Sequence, residues 1–189
     1  LSTAFRTPLA ALALLAWIGG LAGTAQAQAT DPAFTAFSET CMTADANPDA
    51  VTAAANTHGW TTANAAGQTL PGFTESGKVS KTKKIGDTEI SLFSWKGAKG
   101  PIFAEECQIH STRGDLAALQ GATAKALGIA AAQTAPTKVV FHYKGPAATP
   151  TALTDNSQFD AAAGAGGLYI LTLSSDGKGV NADLLKIHK

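Results

Sequence analysis

Cysteine is scarce in this chain: Cys41 and Cys107 are the only two among 189 residues, and they do not form a Cys-x-x-Cys pair. A thioredoxin-type redox centre sets its sulfurs within one helical turn at a helix start, so that chemistry is excluded. Net charge is lacking as well, with 14 Lys and Arg against 14 Asp and Glu. Such a balance gives no general attraction to nucleic acid or to an anionic membrane. Beyond residue 29 no apolar run approaches the roughly 20 residues that a spanning helix needs, so stable membrane insertion is not expected there. There is no Gly-x-Ser-x-Gly elbow for a serine nucleophile. The glycines Gly164, Gly166 and Gly167 precede a strand pattern, whereas a phosphate loop follows a strand and opens a helix. No cofactor is implied. The four histidines lack metal-ligand spacing, and no repeat of fixed period occurs.

What is present begins with an address. Arg6 is the sole charge of the first 29 residues, the apolar run "LAALALLAWIGGL" follows it, and the small residues of "AGTAQAQA" close the segment. That is the layout of a secretory signal peptide, with cleavage expected after Ala27 or Ala29. A periplasmic or secreted location follows, with residues 30–189 as a single domain. Removing Arg6 leaves thirteen basic against fourteen acidic side chains, a formal charge of −1. Residues 28–77 hold five acids and no Lys or Arg, and Lys78, Lys81, Lys83 and Lys84 follow at once. This pattern suits a solvated helical layer followed by a lysine-guarded edge strand.

Helix starts are legible near the amino terminus of that domain. Thr30 or Asp31 caps a first helix with Pro32 just inside it, and Phe34, Phe37 and Cys41 share one face. Asn47, Pro48 and Asp49 open a second helix that stops at Gly59, with Trp60 folding back as an anchor. Residues 61–77 are expected to be a loop. Strands follow in "KVSKTKKI", "TEISLFSW" and "PIFAEECQIH", with turns at Gly86-Asp87 and in "KGAKG". In the second of these, Ile90 and Leu92 take one face while Phe93 and Trp95 take the other. A third helix, capped by Ser111 or Thr112, turns Leu116, Leu119, Thr123 and Leu127 inward and ends at Gly128. "TKVVFHYK" is a strand, residues 145–167 a long surface loop, and "LYILTLSS" with "VNADLLKIHK" a final hairpin. The predicted fold is α+β, with a helix pair and one further helix on one face of a mainly antiparallel sheet of five or six strands.

Cys107 shares a strand face with Phe103 and Ile109, a face expected to look toward the core, and Cys41 lies on the apolar side of the first helix. An oxidising exported compartment would join them, and two cysteines allow one intramolecular pairing. Catalytic candidates are sparse. Glu106, Gln108 and His110 alternate onto one strand face, and His142 would join Glu106 and His110 if its strand were adjacent, giving a cluster suited to zinc or proton transfer. Glu105 is the odd residue, a carboxylate on the same face as Cys107.

Taken together, "FTAFSETC", the proline-initiated alanine helix ending "HGW" and the later "AEECQIH" strand resemble a loosely defined group of small exported bacterial proteins of uncharacterised activity. The resemblance implies the disulfide and the helix-on-sheet layout and carries no ligand across. The expected function is a non-catalytic binding or interaction module whose partner is an envelope protein or a small ligand. Its contact surfaces would be the solvent face of the sheet and the 61–77 and 145–167 loops. The alternative is a small hydrolase or metal-dependent enzyme using Glu106, His110 and His142.

Overall fold

The fold is that of a computed structural model, which describes residues 31–64 and 67–189. The predicted signal peptide lies outside the described residues. Helix α1, Pro32–Phe37, starts where the Asp31 carboxylate accepts from the Ala33 and Phe34 N–H groups at 2.8 and 3.1 Å. It continues into a π-helical turn, Ser38–Met42, that carries Cys41. Helix α2, Pro48–Thr57, is capped by Asn47, whose side-chain oxygen accepts from Asp49 and Ala50. The reversal between them passes through Asp45 and Ala46 at φ 54° and 61°, a left-handed conformation that costs a residue with a Cβ about 1–2 kcal/mol.

One antiparallel sheet follows. Its strands are β1 Thr61–Thr62, β2 Thr74–Ile85, β3 Thr88–Lys99, β4 Ile102–Ser111, β5 Gln133–Ala135, β6 Lys138–Lys144, β7 Thr151–Ala152, β8 Leu168–Ser175 and β9 Val180–His188. Helix α3, Leu116–Leu127, leaves β4, and helix α4, Phe159–Gly164, precedes β8. The spatial order is β1-β2-β3-β4-β9-β8-β6-β5, with β7 also on β6. Six strands are long, and β1, β5 and β7 are pieces of two or three residues. The carboxy-terminal strand β9 therefore sits mid-sheet, between β4 and β8.

The alternation of each strand sorts its residues. Ile90, Leu92, Cys107, Ile109, Phe141, Leu171, Leu173 and Leu184 form a fully covered core with Phe37, Val51, Leu119 and Trp60 from the helical layer. Cys41 and Cys107 are joined, with their Cα atoms 5.4 Å apart. Each Val or Leu buried in this way contributes on the order of 1.5–3 kcal/mol, so the core face dominates stability.

At one end of that face Glu105, Lys186, Tyr169 and Tyr143 lie in lateral register. The Tyr169 hydroxyl and Lys186 Nζ both donate to Asp45 Oδ2 at 2.8 Å, and Asn47 Nδ2 donates to Glu105 Oε1 at 2.6 Å. Glu105 thus holds the start of α2. Burial pushes the phenols of Tyr143 and Tyr169 well above their ordinary range, so both stay protonated, and the Tyr143 hydroxyl is buried without a hydrogen-bond partner among the described residues.

Several expectations need correction. Helices do not keep to one face, since α4 packs Phe159, Ala162 and Ala163 against Leu168, Ile170 and Ile187 on the other. The 145–167 segment is consequently partly regular, because its apolar residues have a sheet face to cover. Residues 61–77 contain β1 and the start of β2, so the irregular part among the described residues is 63–64 and 67–73. The turn expected in "KGAKG" is confined to its last residue: β3 runs to Lys99, and the chain reverses at Gly100. Gly97 serves close packing, because a Cβ there would lie 2.8 Å from the Trp95 ring and 2.9 Å from Thr74 O. Phe103, expected in the core, is 48% exposed, for it lies beyond the helical cover beside His188. Asp115 caps α3, since Ser111 donates to Arg113 O and Thr112 is bonded to Glu89. Lys81, expected at an exposed edge, is buried with Nζ on Asn56 Oδ1 at 2.8 Å, because α2 lies over that part of β2.

Candidate functional site

The second sheet face is covered unevenly. At one end Leu70 and Phe73 of the irregular segment pack on Trp95, Phe93, Ala104 and Leu185, and at the other α4 covers Leu168, Ile170 and Ile187. Between these coverings the face carries polar residues in three lateral rows. Trp95, Glu106, Leu185, Ile170 and His142 form one row; Phe93, Gln108, Asp183 and Thr172 the next; Ser91, His110, Asn181 and Ser174 the third.

These rows place the sequence candidates. Glu106 and His110 share the face of β4, but four residues along a strand separate them by about 13 Å. His142 shares the row of Glu106 three strands away, about 14 Å at ordinary strand spacing, with Leu185 and Ile170 between. His142 instead meets Phe159 edge-on at 4.9 Å, and burial lowers its imidazole below the usual histidine range. The three do not converge. Among the described residues no group of three or more His, Cys, Asp or Glu side chains is arranged to hold a metal ion.

The structure gathers a different set. Glu106 is 5% exposed, and its Oε2 accepts the indole N–H of Trp95, directly opposite on β3. Asp183 lies one row away on β9, in diagonal register with Glu106. Diagonal neighbours on one sheet face are within reach of each other's side chains. Burial first, then the charge and hydrogen bond of Glu106, push the Asp183 carboxyl up to about 9, with Lys138 opposing. Asp183 Oδ1 is buried without a donor among the described residues. The neutral form of the Asp183 carboxyl meets both facts, since burial beside Glu106 disfavours its charge.

Beside this pair lies a cavity of about 310 Å³, lined by Gly67, Gln68, Ser91, Phe93, Gln108, Ile109, His110, Asn181 and Asp183. Gln108 fixes its roof: the Gln68 N–H donates to Gln108 Oε1 at 3.2 Å, and Gln108 Nε2 donates to Gln68 O at 2.7 Å. Gly67 lies flat on the Phe93 ring, where a Cβ would fall 1.8 Å from a ring carbon. His110 Nδ1 is 2.8 Å from Asn181 Oδ1. With that oxygen accepting, Nδ1 carries the proton, and the neutral ring offers Nε2 as an acceptor. Asn181 keeps its amide hydrogens for the cavity.

No family model, curated protein or solved structure matches the chain. Sequence reasoning chose Glu106 and His110 but missed Asp183, Asn181, Trp95 and Gln68. One signal was available. In "VNADLLKIH" the alternation puts Asp183 on the face of Leu185 and Ile187, a carboxylate among apolar neighbours.

Proposed function

We infer that this protein is an exported, non-catalytic binding module whose small ligand occupies the cavity beneath Gln68. The observation that carries this reading is a cavity lined mostly by polar side chains, with the half-buried Asp183 carboxyl in its wall and the buried Glu106 beside it. Keeping Glu106 and Asp183 away from water is costly, and nothing in the packing of the core face requires them there. Export is supported by the disulfide, which oxidising compartments maintain, and among the described residues no helix is long and apolar enough to cross a membrane. The enzymatic alternative through Glu106, His110 and His142 lacks a common site for its three side chains.

The test is thermal denaturation of protein expressed from the full chain and recovered from the periplasm of a bacterial host. Neutral saccharides, amino acids, carboxylate and phosphate anions, and polyamines are added in turn. At least one class is expected to raise the Tm of the parent protein and to lose that effect in Gln108→Ala and Asn181→Leu. If no compound acts through those two residues, the reading falls.

A further inference from the structure

The lining of the cavity discriminates among ligands. Among its side chains are neither Lys nor Arg, and the adjacent carboxyl pair is acidic, so a phosphate or carboxylate would meet repulsion without a counter-charge. A compact cation is also poorly served. The Lys138 charge already acts on Asp183, and the Asn181 amide presents donors where a cation needs only acceptors. What remains is a mixture: an acceptor at His110 Nε2, donors at Asn181 Nδ2, a Ser91 hydroxyl that does both, a carboxyl at Asp183 and the apolar ring of Phe93. Hydroxyl groups match such a mixture because each donates and accepts at once, and a ring's C–H face suits an aromatic wall. The volume, at the small end for ligand pockets, suits one ring and no more.

We propose that the cavity binds a neutral polyhydroxylated ligand of monosaccharide size through Asp183, Asn181, His110 and Ser91, with Glu106 as the positioning residue for Asp183. This rests on the binding reading above and adds its ligand class. Glu106 touches no ligand. It lies in diagonal register with Asp183 and hydrogen-bonds its carboxyl at the cavity wall, and Trp95 fixes Glu106 in turn.

The experiment follows the indole N–H signal of Trp95 and the side-chain amide of Asn181 in ¹H–¹⁵N spectra, with Trp60→Phe used to assign the indoles. The probes are D-glucose, D-galactose, D-mannose, N-acetyl-D-glucosamine and glycerol, compared with citrate, inorganic phosphate and spermidine. At least one of the neutral sugars is expected to shift both signals saturably at millimolar concentration or below. Asn181→Leu should weaken that binding at least tenfold. Glu106→Gln, which keeps the shape and an acceptor for Trp95, should weaken it less than Glu106→Leu, and by removing the charge that helps raise Asp183 it should lower the pH at which binding falls off, a shift that loss of shape at the cavity would not give. Saturable shifts from citrate, phosphate or spermidine alone would overturn the ligand class and leave the binding reading intact. Silence from every probe on a folded protein would overturn the proposal, and the earlier reading then stands or falls on its own denaturation screen.

Discussion

Trp95 and Glu106 stand directly opposite one another on β3 and β4, and the indole N–H of the first donates to a carboxylate oxygen of the second with both side chains out of solvent. The bond gives a buried carboxylate one fixed donor, and it ties the apolar end of the second face to its polar middle. Replacing Glu106 with Leu removes the acceptor and strands the indole N–H. A loss of about 1–3 kcal/mol is expected in urea denaturation. Glu106→Gln retains an acceptor and should lose less.

The acidity of Asp183 makes a pH signature. Its carboxyl is raised from 3.8 to about 9 in the folded protein, so between those values the folded state binds a proton that the unfolded state has released. Stability from this group is complete below about pH 4 and is lost as pH rises through 9. Asp183→Asn, an uncharged mimic of the acid form, should therefore stabilise the protein relative to the parent at pH 8, by on the order of a few kcal/mol. The difference should shrink toward pH 4. Urea midpoints measured across that range check the sign, and an unchanged difference would sink the raised Asp183 carboxyl.

Cys41 and Cys107 close a loop with a sequence separation of 66. By the chain-entropy relation the crosslink stabilises the fold by about 4 kcal/mol. Guanidinium melts with and without reductant should show a loss of that order. The double variant Cys41→Ala with Cys107→Ala should melt like reduced protein and be insensitive to reductant.

The left-handed pair Asp45 and Ala46 is held by the sheet, since Tyr169 and Lys186 both bond Asp45. Tyr169→Phe keeps the stacking on Tyr143 and deletes one donor to the carboxylate. A cost of about 1–2 kcal/mol is expected by thermal or chemical unfolding. Amide exchange should quicken first around residues 43–47, where the strain is no longer opposed.

Gly67 has no room for a side chain. Gly67→Val would force its Cβ into the Phe93 ring, so the Gln68 segment must lift. The expected result is a loss of about 1–3 kcal/mol and a shifted Trp95 indole signal, because Leu70 and Phe73 cover Trp95 from the same segment.

Particular residues show how far the sequence could be followed. Asp31 and Asn47 act as the caps expected of them, because capping is a local exchange between a side chain and the next two or three amide groups. The opposed faces of Ile90 and Leu92 against Phe93 and Trp95 were equally legible, since alternation follows from backbone pleat alone. Glu106 and His110 were visible as one polar face for the same reason. His142 was not placeable, because its distance from them depends on how many strands intervene. In "KGAKG" the turn falls at Gly100, as composition suggested, whereas Gly97 serves a close approach that depends on Thr74 from another strand.

Unaided, the amino-acid order determined the periods of the main strands and helices, the caps of α1 and α2, the pairing of the two cysteines and the acidic-polar character of one face of β4. These are properties of near neighbours, or of a choice with one outcome. Tertiary structure alone decided that β9 would lie beside β4, and hence that Asp183 would lie diagonally beside Glu106. It also decided that Gln68 would roof the result. Those partners are distant along the chain, and strand order is set by the summed burial of two whole sheet faces, a quantity no short stretch of sequence contains.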